Sequence, residues 1–322
     1  MSPDPVARAA STATFVSGSS RSVIPARPLR PSRPVTWSSK LGPHILGPTN
    51  NAAVHTILDA CPPVAKWVTG YSGIDVEISS YKSHCSQGVV VLRVYIAPSV
   101  ASYTVADDPV AAAHDFWNKM SSQGLSSAGS ASLIDWLEGP NEIENLPATW
   151  YSDLTAANWV ASFWSTLADF MHNAGYNPLV GSLVAGQPAP VSNFGPLAEA
   201  MKSKTYKWGW SYHAYTFTAT NNIDTEMTYA LYYREIRDQN GLSGIPLVLS
   251  EGGFLTPSSS GWHGQLNNDQ YLSWLEWFDA QTKQDSEIVG FTIFQVGNST
   301  DWLSFDLTPI APQFAKYIAS GP

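Results

Sequence analysis

The sequence has little charge, little cysteine and no long apolar run. Only 13% of its 322 residues are charged, and two are cysteines. No stretch of about 18 apolar residues occurs, so we expect no membrane span. Neither cysteine lies in a Cys-x-x-Cys pattern and the seven histidines are scattered, which argues against a structural zinc site. We therefore expect neither a metal nor an organic cofactor.

Basic residues are also scarce, and they are unevenly placed. The net charge is −9, yet residues 1–40 carry five Arg and one Lys against one Asp, a local charge of +5 that leaves −14 to the rest. Nucleic-acid binding requires a basic face for the phosphates. The acidic body therefore excludes nucleic acid as an expected partner and disfavours polyanionic polysaccharides.

Residues 1–40 differ in composition from the rest of the chain. They contain six Pro and are rich in Ser, Arg and Ala, a composition that cannot form a packed core. We interpret them as a disordered leader or linker before a single domain at 41–322. The segment lacks the continuous apolar region of a secretory signal, so it does not by itself indicate export.

From residue 41 onward, short apolar segments alternate with helical patterns. The run 88–96 is rich in β-branched residues, as in parallel strands that are buried on both faces. Strands are predicted at 41–47, 64–69, 88–96, 132–139, 178–184, 208–215, 245–251 and 288–295. Helices are predicted at 51–60, 108–122, 155–174 (capped by Thr155), 195–204, from Asp224 to near Gly241, 268–283 and 309–320. The connection at 74–84 is poorly marked.

Eight strand–helix units over about 280 residues predict an α/β fold of the (β/α)8 TIM barrel type, with one catalytic domain. The alternative is an open doubly wound sheet, which would require a nucleotide site. No Gly-rich phosphate loop follows an early strand, and this disfavours the alternative.

The two cysteines fall at equivalent places in this scheme. Cys61 and Cys85 each precede a predicted strand by three residues, on neighbouring strands at the amino-terminal face of the barrel. A disulfide between them is geometrically possible. The alternative is a pair of reduced, buried thiols.

Active sites of such barrels lie at the carboxyl ends of the strands. Two carboxylates stand out there, Glu142 after strand four and Glu251 after strand seven. A pair of carboxylates across one barrel mouth is what glycoside hydrolysis needs, one protonated and the other ionised. The other polar residues predicted near these strand ends are His44, Arg93, Tyr95, Glu138, Asn141, Gln187, His213, Tyr215, Gln295 and Asn298.

Arg93 lies in the middle of a predicted strand. A buried guanidinium is costly unless an anion pairs with it. We expect a carboxylate such as Glu251 to be that anion and to stay ionised as a result. Glu138, the local competitor of Glu142, is expected to orient the loop.

The segment Glu138-Gly139-Pro140-Asn141-Glu142, together with Glu251-Gly252-Gly253 at the end of strand seven, resembles the retaining (β/α)8 glycoside hydrolases of clan A. His213-Ala214-Tyr215 is similar to a strand-six His-x-Tyr segment of several members. The resemblance implies that Glu142 is the acid/base and Glu251 the nucleophile. It also implies that Asn141 holds a sugar 2-hydroxyl and that Tyr215 donates a hydrogen bond to the nucleophile.

The sequence departs from that clan in two places. Pro140 stands where many relatives have an aromatic residue, and strand eight ends in Phe294-Gln295 where many have a Trp. Trp302 on the next loop is a candidate replacement, and Trp210 and Trp262 are further candidate stacking platforms. The family within the clan, and with it the substrate, is not assigned by these motifs.

These observations predict a retaining glycoside hydrolase that cleaves β-glycosidic bonds of a poly- or oligosaccharide. Aromatics make up 12% of the chain, which favours polysaccharide and endo action. We expect a monomer that is secreted or acts at the cell surface. The expected distance between the carboxyl groups is about 5–5.5 Å, since about 6.5–9.5 Å would mean inversion. The alternatives are a non-catalytic carbohydrate-binding barrel and a transglycosylase that uses the same residues.

Overall fold

The computed structural model describes residues 38–47, 51–125, 128–216, 229–256, 260–297 and 300–320. Nearly all of the predicted leader, and also Asp224 and Asn298, lie outside these ranges. The interpretation of residues 1–40 and the cap assigned to Asp224 therefore remain predictions.

Eight parallel strands close into a barrel in chain order, with the last strand hydrogen-bonded to the first. The predicted TIM barrel is confirmed, and a doubly wound sheet is excluded because an open sheet has two edges. The strands are β1 Leu41–Ile45, β2 Val64–Val68, β3 Val89–Arg93, β4 Trp136–Glu138, β5 Pro178–Leu183, β6 Gly209–Thr216, β7 Leu247–Phe254 and β8 Ile288–Val296.

Helices follow the strands around the outside of the barrel. In the described ranges they are α1 Ala52–Leu58, α2 Ile74–His84, α3 Pro109–Gln123, α4 Leu154–Asn173, α5 Gly195–Lys202, α6 Tyr233–Gln239, α7 Asn268–Thr282 and α8 Ala311–Ser320. None of these helices combines the length and apolarity needed to cross a bilayer.

One segment had no assigned structure in the sequence, and one helix cap was predicted wrongly. The poorly marked connection at 74–84 is helix α2. Its cap, Gly73, provides no side-chain hydrogen bond, and Val76 faces solvent while Glu77 is buried, so the usual sequence signals are missing. Helix α4 is capped by Asp153 instead of Thr155, with the Asp153 carboxylate accepting the Ala156 N–H.

Strand β4 is shorter than predicted, because residues 131–133 form a 3₁₀ turn before it. Even this short strand shows how inward-facing side chains are arranged in layers inside the barrel. Residues two apart on a strand share a face, so an apolar residue at the amino end and a charged residue at the carboxyl end both point inward. Three such pairs in the described strands are Val64 with Lys66, Val91 with Arg93, and Trp136 with Glu138.

The apolar members of these pairs join Leu179 and Val248 in a buried cluster that fills the amino-terminal end of the barrel. A larger apolar layer packs between the strands and the helices. The charged members of the pairs lie one layer above this buried cluster, toward the carboxyl ends of the strands. The fold therefore presents its inward-facing charges at the end where barrel enzymes have their active sites.

Cys61 and Cys85 form a disulfide in the structure, with Cα atoms 5.3 Å apart. They lie on the connections that enter β2 and β3, at the amino-terminal end of the barrel. The disulfide therefore cross-links the connections that lead into β2 and β3, at the end of the barrel opposite the candidate site.

Candidate active site

Glu142 follows β4 and is held at both its backbone and its side chain. Its φ angle is +49°, a left-handed conformation that few residues other than glycine adopt. Its N–H donates to the Ser182 carbonyl (3.1 Å), and its Oε1 lies 2.6 Å from His213 Nδ1. The side chain is almost wholly buried, which limits its contact with bulk water.

Glu251 lies within β7, which continues past it to Phe254. The predicted strand end at residue 251 was therefore three residues short. Tyr215 donates its hydroxyl to Glu251 Oε1 (2.7 Å), and His44 Nδ1 lies 3.7 Å from Oε2. The hydrogen bond from Tyr215 holds the carboxylate in place from the neighbouring strand.

The structure brings Glu142, His213 and Glu251 together. One oxygen of each carboxylate and one ring nitrogen of His213 all lie within 4.8 Å of one another. Three such groups could in principle ligate a metal. Both nitrogens of His213 already have partners, however, Glu142 on one side and the Ser182 hydroxyl (3.1 Å) on the other. The geometry therefore favours a paired-carboxylate site.

The charges around Glu251 favour its ionised form. Burial alone would raise the pKa of its carboxyl group. The surrounding cations (His213 when protonated, then Lys66 and Arg93), with the Tyr215 hydrogen bond, hold this pKa below the usual 4.5. An ionised carboxylate at this position is available as a nucleophile or as a base.

Beneath these groups, Lys66 and Glu138 form an ion pair with Nζ and Oε2 2.6 Å apart. Burial disfavours charge on both partners and lowers the pKa of Lys66, yet the nearby ammonium lowers the pKa of Glu138 to about 2. With a cation at this distance we assign Glu138 as ionised. Because Glu138 is fully buried against Lys66, it is oriented toward the barrel interior and not toward solvent.

The prediction for Arg93 was right about the effect of its charge, which helps to lower the pKa of Glu251, and wrong about its hydrogen-bond partner. Within the described ranges no ion pair joins Arg93 to Glu251; Arg93 Nη1 instead donates to Asn141 Oδ1. The Glu144 N–H donates to the Asn141 backbone carbonyl (2.9 Å), and the Asn141 side chain favours the ionised form of Glu144. Burial, with smaller contributions from Glu142 and Glu251, raises the pKa of Glu144 to about 7 against the opposing effects of Arg93 and Asn141. Asn141 therefore connects a cation to a third carboxyl group in the site.

His44 is fully buried beside Glu251, with its ring edge-on to Phe294 at a centroid distance of 5.1 Å. Neither of its ring nitrogens has a hydrogen-bond partner within the described ranges. Burial, followed by the charges of Lys66, Arg93 and His213, holds the pKa of His44 well below its usual value. His44 is therefore a neutral imidazole with both nitrogens unused.

The three tryptophans predicted as stacking platforms differ in how far they are buried. Trp210 and Trp262 are buried, packed on Phe194 and Tyr271, so their prediction as stacking platforms was wrong. Trp302 is only partly buried, and its ring lies 5.4 Å from that of Phe294. Gln295 is fully buried and donates from Nε2 to the Trp302 carbonyl (3.1 Å), which connects the end of β8 to this loop.

The remaining candidates are less central. Gln187 accepts the Ala189 N–H with its own side chain (3.0 Å), which stabilises the loop after β5. Tyr95 follows β3, and its backbone N–H donates to Thr69 Oγ1 (3.0 Å). No hydrogen bond joins Gln187 to Glu142 or Glu251 in the part of the chain that the structure describes.

Sequence reasoning missed three residues that belong to the site, namely Lys66, Glu144 and Ser182. Lys66 carried a usable signal, because a lone lysine within an apolar strand must pair with an anion if it is buried. Glu144 is one of several acidic residues after β4, and nothing in the sequence pattern singles it out. Ser182 carried no signal, since a serine in a strand is compatible with many environments.

No protein-family model and no curated protein matches the sequence. Several solved structures share the fold. One is a broad-specificity endoglucanase of glycoside hydrolase group 5-4 from an uncultured bacterium, at 14% identity and a TM-score of 0.54 over 83% of this chain and 84% of the other.

Two further similar structures are also barrel enzymes. A glycoside hydrolase family 5 enzyme from Prevotella bryantii B14 matches at 11% identity and a TM-score of 0.52, over 87% of this chain and 96% of the other. An endo-β-1,4-mannanase from Thermotoga petrophila matches at 12% identity and a TM-score of 0.50, over 88% and 77%. At such low identity the likeness establishes the fold that this chain shares with these hydrolases.

Proposed function

We propose that the protein is a retaining glycoside hydrolase that cleaves β-glycosidic bonds of a poly- or oligosaccharide. The observation that carries the proposal is the pair Glu142 and Glu251, which have oxygens within 4.8 Å of each other at one barrel mouth. A short separation of about 5–5.5 Å suits direct attack by one carboxylate, whereas about 6.5–9.5 Å leaves room for a water molecule and inversion. The solved hydrolases with the same fold support the proposal.

The two carboxylates have different roles in this mechanism. In the first step Glu251 attacks the anomeric carbon, and the bond to the leaving oxygen breaks while Glu142 gives that oxygen its proton. In the second step Glu142 takes a proton from water, the water oxygen bonds to the anomeric carbon, and the Glu251 carboxylate leaves. The depressed pKa of Glu251 supports its role as nucleophile, since only the ionised form can attack.

The surrounding residues supply binding and orientation. We assign substrate contacts to Asn141, to the neutral His44 and to Trp302, whose partly exposed ring can stack on a sugar face. A hydrogen bond from Arg93 orients the Asn141 amide, and a hydrogen bond from Gln295 holds the loop that carries Trp302. His213 orients Glu142, and Tyr215 orients Glu251. Glu138 affects the site through its ion pair with Lys66.

The place of action is part of the proposal. A disulfide such as Cys61–Cys85 persists in oxidising compartments. This supports a secreted or cell-surface enzyme. The proposal also takes the enzyme to be a monomer with 41–322 as its catalytic domain. The aromatic content supports endo action on a polysaccharide.

A panel of polysaccharides, assayed for reducing ends and product sizes, tests the activity. We expect the wild-type protein to hydrolyse at least one β-glucan, β-mannan or related neutral polymer. Glu142→Gln and Glu251→Gln should each lower the rate by roughly 10²–10⁴-fold or more without loss of binding. Glu199→Gln is the matched control, because this exposed carboxylate lies on α5, where it pairs with Lys202.

Two results would point elsewhere. Binding without release of reducing ends would indicate a non-catalytic carbohydrate-binding barrel. Longer products at high acceptor concentration would indicate a transglycosylase. If either site variant keeps the full hydrolytic rate, the assigned roles are wrong.

A further inference from the structure

The buried side chain of Asn145 joins the loop after β4 to the connection between β3 and α3. Its Nδ2 donates to the Ile96 carbonyl (3.1 Å) and to the Ala101 carbonyl (2.7 Å). Its own backbone carbonyl accepts the Tyr103 N–H (3.1 Å). Both side-chain partners are carbonyl oxygens, which can only accept, so the orientation of the amide is determined. Because Asn145 is only 2% exposed, water does not compete for these bonds.

The loop 141–145 is attached to the same connection at its other end. Arg93, the last residue of β3, donates to the side chain of Asn141. Arg93 and Asn145 therefore attach the two ends of one short segment to β3 and to the chain that follows it. Glu142, the proposed acid/base, lies between the two attachments.

On its other side the loop meets β5 and β6, since β4 lies between β3 and β5 in the barrel. The Glu142 N–H donates to the Ser182 carbonyl (3.1 Å), and His213 Nδ1 lies 2.6 Å from Glu142 Oε1. These contacts hold Glu142 from one side only. The attachments at Arg93 and Asn145 hold its loop from the opposite side, so Glu142 is fixed between two sets of strands.

The backbone of Glu142 shows why attachment on both sides is needed. Its φ angle is +49°, a left-handed conformation that is unfavourable for a residue with a side chain. Such a conformation persists only where the surrounding structure imposes it. The Glu144 N–H closes a turn on the Asn141 carbonyl (2.9 Å), but this bond constrains only the residues within the turn. Asn145, directly after the turn, sets the position of the turn relative to the barrel.

The connection between β3 and α3 is itself well anchored. The Tyr103 hydroxyl donates to Asp115 Oδ2 on α3 (2.8 Å), and the Tyr103 ring stacks on that of Trp159 on α4, with centroids 6.4 Å apart. Trp159 Nε1 also donates to the Asp107 carbonyl (2.6 Å). Asn145 therefore attaches the acid/base loop to a part of the chain that two helices hold in place.

We propose that Asn145 is a positioning residue that keeps Glu142 in its left-handed conformation and thereby within reach of the glycosidic oxygen for proton transfer. Asn145 acts through Glu142 and not on the substrate, because its buried amide is engaged with two carbonyls. The kinetic part of this inference rests on the proposed glycosidase function. The attachment of the loop is a structural property that is measured without a substrate.

The kinetic test uses Asn145→Asp, which keeps the size of the side chain but replaces the donor nitrogen with an oxygen that faces two carbonyls. It should lower kcat/KM about tenfold for a substrate with a sugar leaving group, which needs a proton from Glu142. For a dinitrophenyl glycoside of the same sugar, whose leaving group needs no proton, the loss should stay below about twofold. A general loss of stability would not separate the two substrates in this way.

Asn240→Asp is the matched control. Asn240 is also buried, and its Nδ2 also donates to two carbonyls, those of Val191 (3.3 Å) and Ile236 (2.9 Å), but it lies at the end of α6 in the outer helix layer. This variant should leave the ratio of the two kcat/KM values as in the wild type. An unchanged ratio in Asn145→Asp, or an equal change of the ratio in Asn240→Asp, would overturn the proposal.

Hydrogen exchange followed by mass spectrometry measures the attachment of the loop itself. In Asn145→Asp we expect the amides of 142–146 to exchange at least about tenfold faster than in the wild type, whereas Asn240→Asp should leave them unchanged. Asn145→Ser keeps one donor and guards against a folding failure, and it should show smaller changes in the same direction. Wild-type exchange of 142–146 in both variants at position 145 contradicts the inference. If exchange changes as expected but no sugar is cleaved by the wild type, only the proposed function has failed.

Discussion

Lys66 and Glu138 face each other inside the barrel with Nζ and Oε2 2.6 Å apart, and neither side chain is exposed. Each charge is tolerated because the other is present, since an isolated buried ion would be far more costly than the pair. Lys66 also helps to lower the pKa of Glu251. The pair thus connects the stability of the barrel interior to the ionisation of the proposed nucleophile.

Removing one member of this pair should cost more than removing both. Glu138→Gln leaves Lys66 buried without a counter-ion and should lower the free energy of unfolding by about 3–5 kcal/mol. The double variant Lys66→Met/Glu138→Leu should recover most of this loss. Denaturant titrations of the wild type and the two variants make the comparison, and a Glu138→Gln protein within about 1 kcal/mol of the wild type would show that the pair is not an intact ion pair.

Tyr215→Phe should move the acid limb of kcat/KM to higher pH. Activity requires ionised Glu251, so in the wild type it is lost as pH falls through a pKa that lies below 4.5. Removing the Tyr215 hydrogen bond raises that pKa by about half to one unit. The control is Tyr206→Phe, which removes a similar bond to Asp169 outside the site (2.7 Å) and should leave the limb in place. An unmoved limb in Tyr215→Phe would show that another group controls it.

Glu144→Gln should alter stability in a pH-dependent way. Burial raises the pKa of Glu144 from 4.5 to about 7, so the folded state binds more protons than the unfolded state between these values. Stability from this group is present below about pH 4.5 and is lost as pH rises toward 7. The glutamine variant should therefore gain about 2 °C or more in Tm at pH 8 relative to the wild type, and less at pH 4.5. Glu199→Gln, at an exposed position, should show no such difference between the two pH values.

The disulfide should contribute to stability without serving the site. Cys61 and Cys85 are 24 residues apart, and closing a loop of this size stabilises a protein by about 3 kcal/mol. Cys61→Ser/Cys85→Ser should lower Tm, as measured by calorimetry, yet keep the wild-type kcat at 25 °C, because the bond lies at the opposite face of the barrel. A large loss of kcat in a still-folded variant would contradict this separation.

Much of the architecture could be predicted because the signals were local. Alternating strands and helices specified the barrel, and carboxylates that follow strands could be placed at its mouth. The hydrogen bonds between side chains could not be predicted, since they depend on strand register. Arg93 hydrogen-bonds Asn141 and not Glu251. Ser182 contacts His213 beside a bulge in β5 that the sequence pattern does not predict.

Burial was similarly hard to predict for the tryptophans. Nothing in the sequence distinguishes Trp210 and Trp262 from Trp302. In the structure Trp210 and Trp262 point into apolar layers, whereas Trp302 lies at the barrel mouth. Sequence periodicity identifies an apolar face, and it does not say whether a large ring on that face meets protein or solvent.

The most direct test of the mechanism is to trap the glycosyl–enzyme. A 2-deoxy-2-fluoro glycoside of the sugar identified by the polysaccharide panel slows the second step, and the labelled protein is then digested and analysed by mass spectrometry. We expect one sugar per protein, esterified to Glu251, and no label in Glu251→Gln. A label on Glu142 or Glu138, or rapid turnover with inverted anomeric configuration and no covalent species, would contradict this mechanism.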